Sequence, residues 1–118
     1  MKSRDEIEQM MDALVPIHAA YTADAANAAK ANAVNIAFGA IFEAMMDFPL
    51  PTNDTEREIK NIFAVKETPV EISDAAYPVI VLKDLLSARR VNFNPGHPAV
   101  APYFIVFNER YENMILKA

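Results

Sequence analysis

The sequence contains, at residues 23–47, the stretch ADAANAAKANAVNIAFGAIFEAMMD, and no other part of the chain is as long, as apolar and as regular in period. We interpret this stretch as one central helix, since alanine is the strongest helix former. At about 100° per residue, the bulky apolar side chains gather on one face of that helix. They are Val34, Phe38, Ile41, Phe42 and Met45. We expect this face to pack into an ordinary hydrophobic core.

Alanines form a second apolar face, confined to an arc of about 80° of the same helix. Its members are Ala26, Ala29, Ala33, Ala37, Ala40 and Ala44. Because a face without side-chain bulk lets a second backbone come close, it indicates a tight helix partner within the chain or in another copy of it. Few other segments are available to cover two apolar faces. We therefore favour self-association through the alanines, as a homodimer or small homo-oligomer.

The remaining third of the central helix is its polar side. It carries Asn32, Asn35, Glu43 and Asp47, with Ile36, Gly39 and Met46 among them. A helix with two apolar faces should bury two sides and expose the third. We expect this polar side to face water.

A capping box starts the first helix, with Ser3 placed to accept from the backbone N–H three residues on and Glu6 placed to reach back. Apolar side chains then recur at spacings of three and four residues, at Ile7, Met10, Leu14, Ile17 and Tyr21. Pro16 interrupts this pattern, because its ring removes a backbone donor and clashes with the preceding turn at a cost of about 3 kcal/mol. The sequence therefore predicts a break or sharp kink at Pro16, with another helix beginning near Thr22.

Two more helices are predicted after the central helix, which ends at the two prolines of residues 48–51. Asn53 and Glu56 form a second candidate capping box, before a short amphipathic helix. Ser73 and Asp74 can cap the next helix. Its predicted buried side consists of Val79, Leu82, Leu85 and Leu86. The run 79–82 also fits a short strand, but the helix formers that follow favour a helix.

The C-terminal segment, residues 98–118, fits two structures. A helical stripe joins Val100, Phe104, Phe107, Tyr111 and Met114. Residues 103–107 are instead five consecutive strand formers, and a loop at 108–110 could connect them to a second strand at 111–116. We favour the helix. The prediction is thus an all-α single domain, residues 1–118, of four to five helices around the alanine-rich helix, with a C-terminal β-hairpin, and so an α+β fold, as the alternative.

Composition limits the classes of function. The chain has 118 residues, a net charge of −5 and no cysteine, which excludes disulfides, zinc–thiolate sites and thiol nucleophiles and fits a reducing compartment. The N-terminus lacks the apolar core of a signal peptide, and the longest uncharged run in the central helix, residues 31–42, is too short to span a bilayer. Residues 1–58 carry ten acidic and four basic side chains, which should repel nucleic acid. We expect a cytoplasmic protein that binds neither membranes nor nucleic acid.

Catalytic motifs are missing from the sequence. His18 and His97 are the only histidines, and no HExxH-type spacing supports a metal site. No serine lies in a GxSxG elbow, and the two glycines, Gly39 and Gly96, cannot form a phosphate-binding loop. We expect no metal, no cofactor and no enzymatic activity.

One polar group of mixed type lies within residues 87–97. It comprises Arg89, Arg90, Asn92, Asn94 and His97. Paired arginines bind phosphate or carboxylate groups bidentately, so this segment could hold a small anionic ligand such as a nucleotide. The simpler interpretation is a helix C-terminus with dipole-compensating arginines, followed by a type II turn at 94–97.

We favour a non-catalytic function. The preferred hypothesis is a small acidic interaction protein, of inhibitor, adaptor or immunity type, that self-associates and presents a helical face to a protein partner. The alternative is a binder of a small anionic ligand through the segment that contains Arg89 and Arg90.

Overall fold

The structure is a computed structural model that describes residues 2–64, 72–83, 91 and 93–115. Within these ranges, five helices follow one another and no strand occurs. They are α1 (Arg4–Ala23), α2 (Ala28–Met45), α3 (Asn53–Ala64), α4 (Tyr77–Lys83) and α5 (Ala101–Ile115). The all-α prediction is therefore confirmed. The C-terminal hairpin alternative is wrong, because α5 includes all of residues 103–107, proposed for its first strand, and residues 111–115 of its second.

Helix α1 begins as predicted, with a complete capping box between Ser3 and Glu6. Of the two outcomes predicted at Pro16, the break is wrong, because α1 continues through this proline to Ala23, and the sharp kink stays a prediction. Pro16 itself is exposed, while the buried residues of α1 precede it and the half-buried Ile17 and Tyr21 follow it. Packing on both sides of the proline thus holds the helix together, as tertiary contacts commonly override local preference.

The connection between α1 and α2 lies at residues 24–27. The Asp24 N–H donates to the Tyr21 carbonyl at 3.0 Å and closes α1. Asn27 then caps α2, because its side-chain oxygen accepts from the N–H groups of Ala29 and Lys30 at 3.0 and 3.2 Å. The predicted central helix of residues 23–47 is therefore shorter at both ends.

The bulky face of α2 lies in the core, as predicted. Its five apolar side chains are all buried: Val34, Phe38, Ile41, Phe42 and Met45. The Phe42 ring centroid lies 5.2 to 5.5 Å from those of Phe93, Phe104 and Phe107, in edge-to-face contacts that connect α2 to α5 and to the segment before it. The Arg110 side chain of α5 also donates to the carbonyl of Met46, just after the C-terminus of α2, at 2.9 Å.

Helix α3 is capped one residue earlier than predicted. Thr52 and Thr55 bond reciprocally, the Thr52 N–H to the Thr55 hydroxyl at 3.0 Å and the Thr55 N–H to the Thr52 hydroxyl at 3.4 Å. The box of Asn53 and Glu56 is thus wrong, since Asn53 is already the first helical residue. The two hydroxyls also lie 3.2 Å apart, so Thr52 and Thr55 form the box one residue before the predicted one.

Helix α4 replaces the strand considered for residues 79–82. Val79 and Leu82 are buried as predicted, whereas Leu85 and Leu86 lie outside the described residues. Ser73 opens a turn ahead of this helix, its carbonyl accepting from the Tyr77 N–H at 3.0 Å. Asp74 is not a cap but accepts from Arg4 at 2.7 Å, an exposed ion pair that joins the start of α1 to this turn.

Candidate interaction surface

The six alanines predicted to mediate self-association do not share one environment. Ala26 lies in the turn before α2, and it is exposed. Ala37 is half-buried against the core, and Ala44 is buried. Ala29, Ala33 and Ala40 are exposed on α2. The predicted alanine face is therefore divided, with one edge inside the molecule and the other open to solvent.

The open edge continues into a large apolar side chain. Ile36 is 59% exposed and lies beside the exposed alanines on the helical surface. We call Ala29, Ala33, Ile36 and Ala40 the exposed strip, which is about 16 Å long at 1.5 Å per residue. Asn32 and Glu43 are also exposed on this side of α2. The sequence predicts that Ile36 lies on the polar side of α2. A large apolar residue on that side indicates that the side is not uniformly polar.

The predicted polar side of α2 is partly buried, which corrects the expectation that it faces water. Asn35 and Gly39 both lie under residues 93–100. The Asn35 side-chain oxygen accepts from the Asn94 N–H at 2.9 Å, and its amide donates to the Ala31 carbonyl at 2.9 Å. A buried asparagine is tolerated because both ends of its amide are bonded.

Gly39 lets the backbone of Ala99 and Val100 approach α2 closely. A methyl group at this position would collide with the Ala99 carbonyl oxygen and lie 2.9 Å from its carbonyl carbon. Because these are backbone atoms, they cannot move aside as a flexible side chain would. Glycine is thus required by close packing, and neither helical period nor composition indicates this.

The predicted anion-binding group is only partly described. Arg89, Arg90 and Asn92 lie outside the described residues. Asn94 and His97 lie in a turn closed by a bond of 3.1 Å from the His97 N–H to the Asn94 carbonyl. The Asn94 side-chain oxygen accepts from the Gly96 N–H at 3.0 Å. These two residues therefore have structural roles in the turn.

The predicted turn type is wrong. A type II turn needs a positive φ at its third residue, and Gly96 does not adopt one. The Asn94 side chain instead bonds the backbone two residues on, in the manner of an Asx turn, and this supplies the local stabilisation. A turn at residues 94–97 was predictable from its proline and glycine, but its geometry was not.

No three histidine or carboxylate side chains among the described residues come together as metal ligands. Burial raises the pKa of Tyr111, and the charge of the neighbouring Arg110 opposes the rise. The Tyr111 hydroxyl lies in the core, next to Arg110. Among the described helices, none is long and apolar enough to cross a membrane.

Large apolar side chains are exposed at four of the described residues, Val15, Ile36, Leu50 and Ile105. Ile36 differs from Ile105, which is equally exposed at 59%, because exposed alanines flank Ile36 at positions 33 and 40. Comparison with known proteins finds no family model that matches the chain, and no significant similarity to a curated protein or to a solved structure.

Proposed function

We propose that the protein is a non-catalytic interaction protein that self-associates through the exposed strip of α2. The observation that supports this proposal is the exposure of Ile36 within a row of exposed alanines on α2. The opposite side of the same helix packs into the core through Phe38 and Phe42. Burying one isoleucine side chain contributes about 1.5 to 3 kcal/mol, and a symmetric dimer buries it twice. The flanking alanines let the two backbones approach closely.

The self-associated form presents a helical surface to a protein partner, in the manner of an inhibitor, adaptor or immunity protein. The acidic balance of the first half of the chain supports a basic patch as the complementary surface on that partner. The absence of cysteine is compatible with a reducing compartment, and we propose the cytoplasm as the location.

The experiment compares two isoleucines of equal exposure. Ile36→Glu introduces a charge into the exposed strip, while Ile105→Glu introduces the same charge on α5 at a side chain that is also 59% exposed. Sedimentation velocity over a wide range of protein concentrations should give a dimer or small oligomer for the unmodified chain and for Ile105→Glu. Ile36→Glu should sediment as a monomer with unchanged circular dichroism, because a buried unpaired charge opposes association.

Two results would contradict the proposal. One is a monomeric unmodified chain at every concentration, and the other is equal disruption by both glutamates. For the partner, co-purification from the native host should recover the same protein with the unmodified chain and with Ile105→Glu.

A further inference from the structure

The exposed strip of α2 is bounded on both edges by packing within the chain. On one edge, residues 93–100 cover Asn35 and Gly39. On the other edge, Ala37 and Ala44 turn towards the core. A band about one helix wide is thus left open along α2. Because helices pack by fitting side chains of one into the grooves of another, a band of this width suits a single helix as its occupant.

The relief of the strip favours one direction for that helix. Ile36 is 59% exposed, and the exposed Ala33 lies three residues before it. When two copies of α2 run in opposite directions, Ile36 of each copy can lie over Ala33 of the other, so that a large side chain meets a small one twice. In the same register, Ala29 of each copy lies opposite Ala40 of the other. Parallel copies instead place Ile36 against Ile36 and hold the alanines apart.

The charges at the two ends of α2 favour the same direction. The C-terminal end carries the exposed acids Glu43 and Asp47. At the N-terminal end, Lys30 pairs with Asp24 at 3.5 Å, and the helix dipole adds a positive partial charge. Parallel copies would bring both acids of one chain beside the same acids of the other. Antiparallel copies place Glu43 at the positive end of the other helix and about 25 Å along the axis from its counterpart, well beyond the screening length of about 8 Å.

We propose that the occupant of the exposed strip is a second copy of α2 in antiparallel orientation, with Ile36 of each chain over Ala33 of the other. This inference rests on the proposed self-association and adds the direction and register of the two helices. Such a contact has a twofold axis and uses the same strip on both chains. It therefore closes on itself and gives a dimer, with no open strip left for a third copy.

Disulfide formation tests this arrangement, because the chain contains no cysteine and introduced thiols have no native competitor. Ala29→Cys, labelled with ¹⁵N, is mixed with unlabelled Ala40→Cys and oxidised. A disulfide needs Cα atoms about 4 to 7 Å apart. Antiparallel copies bring positions 29 and 40 together and keep like positions about 16 Å apart along the axis. By mass spectrometry, nearly all covalent dimers should therefore contain one labelled and one unlabelled chain.

The outcomes separate this inference from self-association itself. Ala19→Cys, at an exposed alanine of α1, is the matched control and should give few covalent dimers with either variant. Disulfides of Ala29→Cys and of Ala40→Cys each with itself would show parallel copies, which overturns the antiparallel arrangement and leaves self-association intact. An unmodified chain that sediments as a dimer while no disulfide forms would move the contact away from the strip and overturn the arrangement. A monomeric unmodified chain would contradict the proposed function as well.

Glu43→Gln tests the charge argument without a thiol. In the antiparallel dimer, each copy loses a favourable contact between Glu43 and the positive end of the other helix. The dissociation constant from sedimentation should therefore rise by about two- to tenfold. Glu109→Gln, at an exposed acid of α5, is the control and should leave it unchanged. A lower dissociation constant for Glu43→Gln would reveal repulsion between like positions and overturn the antiparallel arrangement.

Discussion

At Gly39, a single missing methyl group decides how α2 meets the C-terminal part of the chain. Gly39→Ala should lower the free energy of unfolding by about 1 to 3 kcal/mol, because the added Cβ collides with the Ala99 carbonyl and forces the backbones apart. Urea unfolding followed by circular dichroism measures this loss. Gly96→Ala is the matched control, since a Cβ there meets only the Asn94 side-chain oxygen, at 3.5 Å. Similar losses in both variants would show that the approach at Gly39 is not tight.

Residues that act locally were predictable, and residues that act across the chain were not. The Ser3–Glu6 box was found because both partners lie within one turn of helix. Asn35 and Gly39 were assigned to the solvent side because helical period assigns a face but not the segment that covers it. The cover comes from Asn94 and Ala99, about sixty residues away, and one sequence carries no signal for that pairing.

At the scale of helices, the N-cap of α3 is Thr52 in the structure, whereas the sequence predicts Asn53, one residue later. Thr52→Ala should cost about 1 kcal/mol of stability, because the hydroxyl that accepts from the Thr55 N–H is lost. Asn53→Ala, within the box predicted from sequence, should be nearly neutral or slightly stabilising in an exposed helical position. Thermal unfolding of both variants measures the difference. A larger loss for Asn53→Ala would restore the sequence-based cap.

The predicted helix boundaries were wrong for two reasons. At one site tertiary packing overrode a strong helix breaker, and at another a weaker capping signal within an alanine-rich stretch was the true boundary. Pro16 is a strong helix breaker, yet α1 passes through it because apolar contacts hold both of its halves. The true boundary at Asn27 lay inside an alanine-rich stretch that composition alone marked as helix. An asparagine is among the best N-cap residues, so Asn27 was the available signal.

One side of α2 is not covered by any other described residue of the molecule. Substitutions at two alanines of α2 can distinguish packing within the chain from association between chains. Ala37 is half-buried against the core, and Ala33 lies on the exposed strip. Ala37→Leu should lower the Tm without changing the mass of the particle, since a larger side chain overpacks the interior at a cost of about 1 to 3 kcal/mol.

Ala33→Leu should leave the fold of each chain intact and shift the protein towards monomer, because added bulk keeps two α2 backbones apart. Light scattering gives the mass, and circular dichroism gives the Tm and helicity of the same samples. The two variants carry the same substitution one helical turn apart, so a general effect of leucine on α2 would appear in both. If Ala33→Leu lowers the Tm as Ala37→Leu does and leaves the mass unchanged, the exposed strip packs within one chain. If it changes neither quantity, the strip faces only water, and self-association through α2 is wrong.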